Sequence, residues 1–131
     1  MIGDKITIPR AKSFSGIHHY NPISYIASCT GINDIKHTLY TFMKKTIDIQ
    51  NKYHLPKIVS VAKGYDDRSE RENGFVIDSR NGKLYRIMLD TAMQFEPDIV
   101  LITSWNEWHE KTEIEPSIED GNLYLDITSE Y

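Results

Sequence analysis

Two carboxylates three residues apart, Glu107 and Glu110, stand in the segment S-W-N-E-W-H-E-K-T-E-I-E-P that runs from Ser104 to Pro116. Two indoles, Trp105 and Trp108, and the imidazole of His109 surround them in the sequence. Paired carboxyl groups can divide acid–base work, because one can hold a proton while its neighbour stays ionised. Indole faces beside such a pair stack on pyranose rings, so the combination points to chemistry on a sugar. The competing reading is a solvated acidic loop whose tryptophans pack in the core. His109-Glu110 begins like the zinc pattern H-E-x-x-H, but the closing position is Glu113, so no metal site is expected, and no other cofactor either.

A cluster of this kind needs a rigid element behind it. Directly before Ser104 lies Ile99-Val100-Leu101-Ile102, a short β-branched run that reads as a buried strand. Lys57 to Ala62 has the same character and ends in Lys63-Gly64-Tyr65-Asp66-Asp67, and Gly16 to Tyr20 rises to the turn signal Asn21-Pro22. Between these runs, Ile35, Leu39, Phe42, Met43 and Ile47 recur at helical spacing after a cap at Asn33 or Asp34, with an end near Tyr53. A second helix follows Asn81-Gly82, with Leu84, Ile87, Met88, Ala92 and Phe95 on one face and Pro97 as its stop.

The order strand, helix, strand, helix, strand predicts an α/β fold with parallel strands and crossover helices, Ile58–Ala62 pairing with Ile99–Thr103. The strand ends then share one face, which collects His18, His19 and Tyr20, then Tyr65 and Asp66, then Asn106, Glu107, His109 and Glu110. Convergence of polar and aromatic side chains from consecutive strand ends is the layout of a β/α-barrel active site. Residues 1–15 read as a lead-in with room for one short strand. Arg68 to Arg80 reads as a long surface loop anchored by Phe75-Val76-Ile77, and Leu123 to Ile127 as a final short strand or extended tail.

Composition narrows the partners. A net charge of −4, with basic residues scattered instead of striped, argues against nucleic acid. The lone Cys29 cannot form an internal disulfide, and no apolar run approaches the roughly 18 residues of a membrane span. Met1 to Arg10 has no signal-peptide core, so the default expectation is a cytoplasmic chain.

N-E-W-H-E at Asn106–Glu110 with T-E-I-E-P at Thr112–Pro116 resembles the signature of glycoside hydrolase family 99, the endo-α-1,2-mannosidases and mannanases. The likeness runs from about Gly16 to Ile127 and includes Gly64-Tyr65 with Asp67 and Arg71, and Asn81-Gly82-Lys83 with Tyr85. It implies a (β/α)8 barrel, an α-mannoside oligosaccharide or polysaccharide as substrate, and retention of configuration through a 1,2-anhydro sugar. By resemblance, Glu107 takes the proton from the sugar 2-hydroxyl and Glu110 is the general acid/base. Tyr65 and Asn106 contact the reacting sugar, and Tyr20, Trp108 and His109 complete the expected substrate-binding set. The sequence departs from the family pattern at Lys111 (usually Gly), Glu113 (usually Gln), Trp105 (usually Phe) and Glu72-Asn73 (usually Pro-Trp). A cation at Lys111 is expected to lower the pKa of Glu110, and a carboxylate at Glu113 to raise it. A looser likeness extends to WbsX-like proteins of polysaccharide gene clusters, which keeps a glycan-processing or glycosyl-transferring alternative open.

A (β/α)8 barrel typically takes about 250 residues. The expectation is therefore one partial-barrel domain over residues 1–131, matching the family's C-terminal half, as part of a longer protein or a truncated reading frame. Open strand edges predict self-association, and an inactive barrel remnant is the remaining alternative.

Overall fold

The computed structural model describes residues 6–131 and the backbone of Ile2–Gly3. Met1, Asp4 and Lys5, which belong to the lead-in read from the sequence, lie outside the described residues. In chain order the elements are β1 (Ile2–Gly3), α1 (Ile8–Ser13), β2 (Gly16–Ile17), α2 (Ile23–Ile26), α3 (Ile32–Lys52), β3 (Ile58–Ala62), β4 (Tyr65–Asp66), β5 (Val76–Ile77), α4 (Lys83–Met93), β6 (Ile99–Thr103) and α5 (Leu123–Thr128), with a 3-10 turn at Trp108–Glu110.

β3 and β6 pair in parallel, Ile58 opposite Ile99 and Ala62 opposite Thr103, with α4 as the crossover between them. All five β3 residues are buried, as expected of a strand covered on both faces. The apolar faces of α3 (Leu39, Met43, Ile47) and α4 (Leu84, Ile87, Met88) join Val59 and Val61 of β3 in one core. β6 is less covered: Ile99 is exposed and Val100 to Ile102 are half-buried.

β2 pairs in parallel with β1 and has no ladder to β3. The buried amide of Gln50 spans the gap, donating to the carbonyls of Ile17 and Ile58 at 2.8 Å each and accepting from the Ile58 N–H at 3.2 Å. A buried amide must satisfy both ends, and here it substitutes for the missing backbone bonds.

The structure corrects the sequence reading at several places. The lead-in contains α1, capped by Thr7, with Pro9 in its first turn where the absent N–H costs nothing. α3 starts at Ile32 after Gly31, and Asp34, instead of capping, accepts from the Thr30 N–H at 3.2 Å. The long loop folds back as an antiparallel hairpin, β4 with β5, Tyr65 opposite Ile77 and Asp66 opposite Val76. Gly74 permits that return, because a Cβ there would lie 2.7 Å from both the Arg68 Cα and the Asp67 carbonyl. Leu123–Ile127 is helical, not extended: the alternating pattern is too short to exclude a helix, and burial of Tyr124 and Ile127, three apart, decides it.

Candidate active site

β6 delivers the chain at Thr103, whose hydroxyl donates to the Tyr20 carbonyl at 2.6 Å and so ties the segment after β2 to the end of β6. The Ser60 hydroxyl of β3 likewise donates to the His19 carbonyl. Beyond Thr103 the chain makes a loop closed at its base. Ser104 N–H donates to Thr112 O at 2.9 Å, and Ile114 N–H donates to Ser104 O at 3.0 Å. Within the loop, the Ser104 hydroxyl accepts from the Glu107 N–H at 2.9 Å. Both candidate carboxylates therefore sit on a short, self-bonded loop, not a free one.

Glu110 meets the β4–β5 hairpin. Its Oε1 lies 3.3 Å from the Tyr65 hydroxyl and accepts from Arg71 Nη2 at 3.1 Å. Arg71 Nη1 also donates to the Tyr65 oxygen and to Asp67 Oδ2, each at 2.5 Å. The phenol has one proton and two carboxylate acceptors. Its 2.9 Å contact with Asp67 is the shorter, leaving Glu110 as the second position for that proton. Burial, the bond to Asp67 and the charge of Glu110 push the Tyr65 hydroxyl up to about 12, so it remains a donor at neutral pH. Burial pushes Asp67 up, but the Phe75 N–H, Arg71 and Tyr65 outweigh it and hold the carboxyl below its ordinary value. Phe75 stacks on Tyr65, ring centroids 4.8 Å apart, and fixes the phenol's direction.

Tyr20 lies within range of the same carboxylates. Burial and then the charges of Glu110 and Glu107 push its phenol up, so both candidate carboxylates act on one exposed tyrosine. Glu110 and Tyr65 are thus in contact, and Glu107 shares the loop of Glu110, both carboxylates being half-buried. Asn106 is exposed. His109 is exposed and lies 3.5 Å from Glu70. Trp108 is exposed and donates its indole N–H to Glu115 at 2.6 Å, which directs it along the rim.

Two electrostatic expectations are corrected. The cation at Glu110 is Arg71, whereas exposed Lys111 is directed at Asp66, 3.9 Å away. Glu113 does not crowd the pair; it is buried and accepts from Lys63 Nζ at 2.7 Å. Asp67 and Arg71, which the sequence offers only through the resemblance, complete the contacts around Tyr65 and Glu110. Among the described residues no group of histidine, cysteine and carboxylate side chains could hold a metal ion.

Carboxylates and phenols gathered beyond the ends of parallel strands are an arrangement on which α/β enzymes run acid–base chemistry. The family model for glycosyl hydrolase family 99 matches residues 7–129, and the chain belongs to that family. A mouse glycoprotein endo-α-1,2-mannosidase-like protein is 36% identical over 124 residues, covering 88% of this chain and 25% of the relative. The mouse glycoprotein endo-α-1,2-mannosidase is 36% identical over 121 residues, covering 86% and 24%. The solved GH99 endo-α-mannosidase of Bacteroides thetaiotaomicron superposes with a TM-score of 0.70 at 25% identity, over 97% of this chain and 42% of that one. The chain spans about a quarter of the length of the curated relatives it matches.

Proposed function

We propose that the chain carries the acid–base centre of a retaining endo-α-mannosidase. Glu107 removes the proton of the sugar 2-hydroxyl, the freed oxygen attacks the anomeric carbon, and Glu110 protonates the departing glycosidic oxygen. The same Glu110, now ionised, then takes a proton from the water that opens the 1,2-anhydro sugar while Glu107 returns the proton to O2. Two inversions leave the configuration unchanged. This differs from the usual retaining route, in which a carboxylate itself attacks the sugar. The observation that carries the reading is that Tyr65 and Arg71 both meet Glu110 at Oε1, which leaves Oε2 for the glycosidic oxygen.

The strands are proposed to form the C-terminal half of a (β/α)8 barrel, supported by the parallel β3–β6 pair and the structural likeness to the bacterial endo-α-mannosidase. Next to Tyr20 a groove of about 460 Å³ runs to Tyr25, past His19, Asn21 and Ser24. Its size falls within the range of ligand sites. Burial and the neighbouring His18 lower the pKa of His19, so the groove wall is neutral, which suits an uncharged oligosaccharide extending from the cleaved bond. The test is hydrolysis of an α-1,2-linked mannoside by the purified protein, with the configuration of the released sugar read by NMR before it mutarotates. The α-product is expected. A β-product, or release only with a nucleotide-sugar donor, contradicts the proposal.

A further inference from the structure

We propose that Lys63 and Glu113 form a positioning pair that sets the candidate catalytic loop against the end of β3; only its consequence for turnover rests on the acid–base reading above. Lys63 directly follows β3, and its Nζ donates to Glu113 Oε1 at 2.7 Å and to Asp120 Oδ2 at 2.9 Å. It also lies 4.7 Å from the centroid of the Tyr124 ring on α5. The Lys63 and Glu113 side chains are 7% and 6% exposed, so this pair lies out of water, with Asp120, 28% exposed, and the Tyr124 ring beside it.

Position in the chain gives the pair its role. Lys63 stands two residues before Tyr65, and Glu113 three residues after Glu110. The 3.3 Å contact between Tyr65 and Glu110 depends on how these two segments sit relative to each other. A buried ion pair is a poor source of net stability, but it makes alternative placements expensive, because parting the pair strands the buried Glu113 carboxylate without its cation. Glu113 also follows Thr112, the residue that closes the loop base on Ser104, so holding Glu113 holds that closure.

One ammonium faces two carboxylates, and Glu113 Oε2 has no hydrogen-bond partner among the described residues. What the site requires of residue 113 is therefore an acceptor at Oε1, not a second negative charge. Gln supplies that acceptor. Asp120 remains to neutralise Lys63 when Glu113 is replaced, so the fold can survive the test.

Hydrogen exchange on the whole chain decides the matter without requiring turnover. Glu113→Ala is expected to speed exchange of the Ser104 and Ile114 amides about tenfold or more, while amides of β3 and β6 keep their protection. Glu113→Gln is expected to restore the loop amides to within about twofold of the parent. In protein that hydrolyses α-mannoside, Glu113→Ala lowers kcat about tenfold or more with little change in KM, and Glu113→Gln recovers it. Unchanged loop amides in Glu113→Ala, equal loosening of loop and strands, or failure of Gln to rescue the loop would each overturn the proposal. Expected exchange behaviour in a protein without any mannosidase activity sustains the positioning pair and counts against the acid–base reading alone.

Discussion

Two charge networks connect the end of β3 to the loop after β6, and they are built in opposite ways. The Arg71–Glu110–Tyr65–Asp67 network opens to solvent, with the Arg71 side chain 58% exposed. The Lys63–Glu113 pair is closed, its side chains 7% and 6% exposed, with Asp120 at its edge 28% exposed. Water screens Arg71, so its pairing with Glu110 contributes little to stability and can rearrange during a reaction, whereas the Asp67 carboxylate beneath is 2% exposed and held by Arg71, the Tyr65 hydroxyl and the Phe75 N–H. The second cannot be rearranged without leaving a desolvated charge behind, so it serves placement. The comparison teaches that ion pairing near a site does not by itself mark chemistry; exposure and freedom to exchange a proton separate the two.

The largest expected break in this contrast comes from Lys63→Met. It leaves Glu113 without its cation and should cost roughly 3–5 kcal/mol in urea-induced unfolding. A loss no greater than that of a surface pair would place both networks in the same class. Arg71→Ala should move the unfolding midpoint less, because the buried Asp67 keeps the Tyr65 hydroxyl and the Phe75 N–H as donors, while kcat/KM on an α-mannoside falls about tenfold, the rate equivalent of one hydrogen bond to a charged group. A shift in midpoint comparable to that of Lys63→Met contradicts the distinction.

The smallest effect concerns pH. The Tyr65 hydroxyl is raised from 10.0 to about 12 in the folded chain. Between those values the folded state keeps a proton that the unfolded state has released, so unfolding becomes easier as pH rises. The contribution of Tyr65 is therefore complete below pH 10 and lost as pH passes through about 12. Tyr65→Phe should flatten that alkaline decline in a series of unfolding curves. An identical slope with and without the hydroxyl excludes Tyr65 as its source.

The strand pairing and the long helices were legible in the sequence because their signals are periodic and local. Ile35, Leu39, Met43 and Ile47 of α3 are all buried, as their spacing predicts, and β3 meets β6 in the expected direction. The hub around Tyr65 was not legible, because it depends on β5 returning to β4 and on Phe75 N–H donating to Asp67 at 2.8 Å. No short-range pattern encodes that return. Leu123-Tyr124-Leu125-Asp126-Ile127 alternates on paper, and burial of Tyr124 and Ile127, with Tyr124 packed on Tyr85 at a centroid distance of 5.7 Å, selects the helix instead. The pairing of Lys63 has no local signal, because its partner lies 50 residues away.

The central claim is that Glu107 and Glu110 act on one sugar in different roles, and leaving-group dependence tests it most directly. Rates are measured for Glu107→Gln and Glu110→Gln on a natural α-1,2-mannoside and on an aryl mannoside whose leaving group departs without protonation. Glu110→Gln should lose about a hundredfold or more on the natural substrate and recover most of it on the aryl one. Glu107→Gln should fail on both, since the 2-hydroxyl stays protonated and cannot attack. Equal recovery of the two variants on the aryl substrate would contradict the assignment of base to Glu107 and acid to Glu110.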